Sequence, residues 1–97
     1  MTVGSLHARL LVREARTLKD KRQVVRSVLD RLRNQFNVSA AEIGHLDDVK
    51  VIELGVAAVG PEPAAVRWVL QTISEALRKH PVAEFLDGNI AIGTEVV

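Results

Sequence analysis

The chain has 97 residues, 47% of them hydrophobic, and a formal net charge of +1 from 13 Lys or Arg against 12 Asp or Glu. That predicts a single domain over residues 1–97, with apolar material for one core and no overall charge to draw it to nucleic acid. The lack of cysteine excludes disulfides, thiol chemistry and a Cys-based zinc site, and no apolar run approaches the roughly 18 residues that span a bilayer. No charged segment followed by an apolar block opens the chain, so a cytoplasmic location away from membranes is expected.

Residues 3–12 alternate, with Leu6, Ala8, Leu10 and Val12 on one face and Ser5, His7 and Arg9 on the other, which predicts a half-buried strand. Thr17 is placed as a helix N-cap, with Asp20 in the capping-box position three residues on. Leu18, Val25, Val28, Leu29, Leu32 and Phe36 recur at helical spacing and predict an amphipathic helix to about Phe36. Val38 to Leu46 reads as a second strand, Leu46-Asp47-Asp48 as a turn, and Val49 to Val59 as a third strand of strong alternation. Gly60-Pro61-Glu62-Pro63 breaks that strand and opens a second helix, since proline suits a helix's first turn. Val66, Val69, Leu70, Ile73 and Leu77 form its inner stripe, and Lys79-His80-Pro81 ends it. Glu84 to Val96 predicts a last strand, with a bulge or turn near Asp87-Gly88.

The order strand, helix, strand, strand, helix, strand predicts a ferredoxin-like α+β fold, a four-stranded antiparallel sheet with both helices on one face. The other face is then open and carries Ser5, His7, Arg9, Glu53, Ala57, Asn89 and Ala91.

Three segments resemble a known family: Ala15-Arg16-Thr17-Leu18-Lys19-Asp20-Lys21-Arg22, Arg31-Leu32-Arg33-Asn34-Gln35-Phe36-Asn37-Val38-Ser39 and Ala41-Glu42-Ile43-Gly44-His45. In order and spacing they are similar to the YlxP-like family of small uncharacterised bacterial proteins. The resemblance implies a ferredoxin-like fold and, through gene neighbourhoods rich in translation-initiation and ribosome-maturation genes, an association with RNA or the ribosome. The pattern departs after His45, where Leu46-Asp47-Asp48-Val49 replaces the glutamine and aromatic residue common in the family's turn.

Charge is segregated along the chain. Eight of the 13 cations but only three of the 12 acids lie between Arg13 and Arg33. Arg13, Arg16, Lys19, Lys21, Arg22, Arg26 and Arg33 are therefore the candidate contacts for an anionic partner, with RNA phosphates tracked electrostatically and the helix N-terminus adding a site for one anion. The same pattern also describes a solvated helix face whose Lys and Arg stems cover the core edge. Aromatic base stacking on the sheet is not expected, because Phe36, Trp68 and Phe85 all fall off the central strands' open face, and no DNA sequence readout is expected either.

His7, Glu53 and His45 make the most catalytic-looking set, since the first and third strands neighbour one another; a cross-strand polar pair is the simpler account. No nucleophile motif, phosphate loop or dinucleotide fingerprint accompanies them. The Arg13-to-Thr17 loop lacks the glycines that would cradle phosphate in phosphatases of this topology. A non-enzymatic protein without cofactor is expected. His45, Asp47 and Asp48 lack the spacing of a metal site. Val51, Ala57 and Val59 on the open face, with Trp68 on the second helix, are the candidate partner interface. They support the alternative of a protein-protein module or homodimer, unless the segment Thr94-Glu95-Val96-Val97 covers that face.

Overall fold

The computed structural model describes residues 1–94. β1 (Thr2–Leu11), α1 (Leu18–Gln35), β2 (Ser39–Gly44), β3 (Val51–Gly60), α2 (Pro63–Arg78) and β4 (Glu84–Thr94) follow in that order. The strands form one antiparallel sheet in the order β2-β3-β1-β4. This is the ferredoxin-like α+β arrangement that the pattern predicts. Elements match the sequence reading to within about two residues, except that the β2–β3 connection is longer than the expected turn. It runs from His45 to Lys50. Glu95, Val96 and Val97, with which the last strand and the covering segment were expected to end, lie outside the described residues.

Alternation sets the faces. Leu6, Ala8 and Leu10 of β1 and Ile52, Leu54, Val56 and Ala58 of β3 are buried beneath the helices. α1 adds Val25, Val28, Leu29 and Leu32, and α2 adds Val66, Leu70, Ile73 and Leu77. α2 lies over β1, β3 and β4, while α1 reaches the edge strand β2. The odd-numbered residues of β1 and β3 face away from both helices.

Both edge strands are irregular. The β2–β3 register shifts between Glu42 and Gly44, leaving Ile43 as the extra residue, and the β1–β4 register shifts between Arg9 and Leu10, leaving Leu86 extra. The second shift lies beside Asp87-Gly88, where an interruption was expected. Each bulge re-aims the side chains that follow it.

Candidate functional site

The first turn of α1 is closed by its own residues. Thr17 Oγ1 accepts from Asp20 N at 3.1 Å, and Asp20 Oδ2 accepts from Thr17 N at 3.2 Å and Arg16 N at 3.0 Å. These backbone bonds, Arg16's foremost, hold the Asp20 carboxyl below its ordinary range. This corrects in part the expectation of a site for an external anion at the helix N-terminus: the Asp20 carboxylate already holds the Arg16 and Thr17 N–H groups that lead into α1.

Lys21 is a second correction. It is 0% exposed and cannot touch a phosphate. Its Nζ donates to His45 O at 2.6 Å and Val51 O at 3.0 Å, and lies 3.1 Å from Glu42 Oε2. The ammonium's directed bonds go to the two carbonyls, and Glu42 Oε2 contributes its charge without a well-aligned hydrogen bond. A buried ammonium needs this degree of satisfaction. The signal was present in the sequence: Lys21 sits three residues after Leu18 and four before Val25, on the apolar stripe.

The remaining cations divide. Arg13 pairs with Glu84 at 2.7 Å, and exposed Arg33 donates to Ala40 O at 2.7 Å. Arg16, Lys19, Arg22 and Arg26 are exposed, and among the described residues none has a carboxylate within ion-pair distance. At 3.6 residues per turn, Lys19, Arg22, Arg26 and Arg33 fall within about 60° of arc on one flank of α1.

The structure also brings His7, Glu53 and His45 together on the open face. Strand register sets His7 opposite Gly55 and Arg9 opposite Glu53, so His7 and Glu53 meet diagonally across the β1–β3 pair. His7 Nε2 lies 2.6 Å from Glu53 Oε2, and His45 Nδ1 lies 2.7 Å from Glu53 Oε1. A carboxylate that accepts from both imidazoles is stabilised in its charged form; the His45 contact, then the His7 contact, hold Glu53 below its ordinary range. Two local features make room for this. His45 adopts the left-handed φ of 54°, uncommon for a residue with a side chain. Gly44 has no Cβ, and one placed there would collide with Glu53 Oε1.

Beside this cluster, Arg9 and Asp87 form a two-bonded ion pair, with Nε 3.1 Å from Oδ1 and Nη2 2.5 Å from Oδ2. Asp48 serves the turn, accepting from Lys50 N and Val51 N at 2.8 Å each. No group of three or more His, Asp or Glu among the described residues has the geometry of a metal site.

The expected interface residues do not form one patch. Val51, Ala57 and Val59 line the open face, whereas Trp68, 65% exposed, lies on α2 on the far side of the sheet. Phe36 and Phe85 pack against the core, and the Arg78 guanidinium covers the Phe85 ring at 4.2 Å. Among the described residues no helix is long and apolar enough to cross a membrane.

The class is therefore a ferredoxin-like α+β sandwich whose open sheet carries a carboxylate shared by two imidazoles. The chain belongs to the family described as "Protein of unknown function (DUF503)", which matches residues 3–90. It is similar to "Uncharacterized protein YlxP" of Bacillus subtilis (strain 168), with 32% identity over 82 residues that span 84% of this chain and 89% of that protein. The YlxP-like resemblance of the three sequence segments is thus borne out.

Proposed function

We propose that the chain is a non-enzymatic cytoplasmic binding factor that holds RNA, free or within the ribosome, against the exposed flank of α1. One contrast supports this reading. The cations of the open sheet and its rim, Arg9 and Arg13, are neutralised by Asp87 and Glu84, whereas Arg16, Lys19, Arg22 and Arg26 have no carboxylate partner among the described residues. Lys21 drops out of the contact set, and Arg13 and Arg33 are secondary because each already has a partner. Binding is electrostatic positioning on phosphates, without base readout. Four phosphate contacts give a log-log salt slope of about −3.

The test is co-sedimentation with ribosomal subunits and with free structured RNA over a salt series. Retention that falls with salt and disappears in the Arg22→Glu/Arg26→Glu double variant supports the reading. Unchanged retention in that variant, or none at low salt, removes it.

Self-association through the open sheet is the second reading. It is favoured by the uncharged half of that face, where Val3, Ser5, Ala57 and Val59 lie together. A dimer by analytical ultracentrifugation that Val59→Lys dissociates supports it; a strict monomer at high concentration excludes it.

A further inference from the structure

A cleft of ≈ 590 Å³ opens at one end of the sheet, where β1 and α2 end and β4 begins. Small-molecule sites are of this size, about 300–1,000 Å³. Leu11, Pro81, Val82 and Phe85 supply its apolar lining, and Arg13, Glu14, Arg78 and Glu84 its charges.

The backbone around the cleft is held by bonds that leave its charges unspent. His80 Nδ1 accepts from Val82 N at 3.1 Å and Ala83 N at 3.0 Å, which fixes the turn between α2 and β4. Lys50 Nζ donates to Arg13 O at 2.6 Å and to Ala15 O at 2.9 Å, and Ala15 is buried. The loop after β1 is therefore pinned on either side of Glu14.

The charges select the ligand. Arg13 and Glu84 neutralise each other at 2.7 Å. Glu14 has no cation within ion-pair distance among the described residues. Arg78 has only the exposed Glu75, at 3.9 Å, too far for a hydrogen bond. Its guanidinium stacks on the Phe85 ring instead, 4.2 Å from the ring centre. Stacking steadies the group and leaves its N–H edge free for a planar carboxylate. The cleft thus carries one unspent charge of each sign and an apolar lining. A simple anion would face the charge of Glu14, and a simple cation that of Arg78. A small molecule bearing both charges finds a partner for each.

We infer that this cleft binds a small zwitterion of the class of free amino acids and short peptides. The carboxylate pairs with Arg78, the ammonium with Glu14, and an apolar side chain lies against Leu11, Pro81 and Val82. His80 and Lys50 are positioning residues, since they hold the backbone of the cleft without touching the ligand. The site is separate from the α1 flank, whose Arg33 reaches toward β2.

The experiment is an NMR titration with leucine, dileucine and trileucine, each also in its N-acetylated and its amidated form. The expected result is a set of shifts at the Glu14, Val82 and Phe85 amides with at least one zwitterion. Either cap weakens that binding at least about tenfold, the equivalent of ~1.4 kcal/mol. Glu14→Gln and Arg78→Gln stand at exposed positions and fold, and each weakens the zwitterion to a similar extent. Glu14→Gln leaves the N-acetylated form unaffected, and Arg78→Gln the amidated form, because each then lacks a group already without a partner. A response to leucine identifies an amino-acid site, and a response to the peptides alone identifies a site for a peptide. Absence of shifts with all three zwitterions overturns the inference. So do capped forms that bind as tightly, or shifts that map outside the cleft. The Arg22→Glu/Arg26→Glu variant responds as the parent does, so the cleft and the α1 flank stand or fall separately.

Discussion

Lys21 Nζ and the His45 carbonyl are 2.6 Å apart, and this bond ties the first turn of α1 to the start of the β2–β3 connection. It holds the backbone of His45, a residue in the left-handed region, while the same residue's imidazole binds Glu53. A buried charge on the helix side thus fixes a side chain on the open side. Lys21→Met removes the ammonium and leaves two carbonyls and Glu42 without it. The expected cost is about 3–5 kcal/mol, a large part of a small domain's stability. Urea denaturation measures it, and a loss below about 1 kcal/mol would show that the contact is dispensable.

Gly44 separates the cluster from the fold. A Cβ there meets only the far end of the Glu53 side chain, which can swing aside. Gly44→Ala should therefore cost under about 1 kcal/mol, as surface changes generally do. It should also displace the carboxylate from both imidazoles, and the ring resonances of His7 and His45 should move together. Movement of only one ring would mean that Glu53 does not couple them.

Stability should fall on acidification in two stages. His80 Nδ1 accepts from Val82 N at 3.1 Å and Ala83 N at 3.0 Å, which requires the neutral ring. Burial, with Arg31 nearby, pushes its pKa below the ordinary value. Its contribution is whole above about pH 6.5 and is lost as pH falls from there through the lowered folded-state value. The carboxyls of Glu53, Asp20, Asp48 and Asp87 are also held low, by hydrogen bonds to His45, Arg16 N, Val51 N and Arg9 respectively. Their contributions are whole above about pH 4.3 and disappear below it. Thermal midpoints measured from pH 8 to pH 3 should show both stages. His80→Gln should remove the first and leave the second.

Thr17→Ala deletes the hydroxyl that accepts from Asp20 N. The expected loss is about 1 kcal/mol, typical of an N-cap. Thr17→Ser keeps the oxygen and should recover most of it. Equal losses in the two variants would place the effect elsewhere.

Much of this arrangement is legible in the chain itself. Thr17 and Asp20 announce the start of α1, the alternation of β1 and β3 sorts core from open face, and proline at 63 marks the start of α2. The neighbouring of β1 and β3 places His7 and Glu53 on one face, and the register makes them diagonal neighbours. What the chain does not announce is register at the sheet's edges. The extra residue at Ile43 decides that Gly44 lies beneath Glu53, and no local composition marks it. Lys21 is hidden differently. Its charge groups it with its basic neighbours, while its helical phase puts it among Leu18 and Val25. Burial follows phase here because Glu42 and two backbone carbonyls wait beneath it.

The bulges at Ile43 and Leu86 fall on the two outermost strands, one on each side. A strand arriving alongside either would find its ladder of donors and acceptors out of step after a few residues. The sheet is finished at four strands. Crowded copies are discouraged from zipping into a longer ribbon, and whatever meets this protein is directed to its helices or the exposed plane of its sheet.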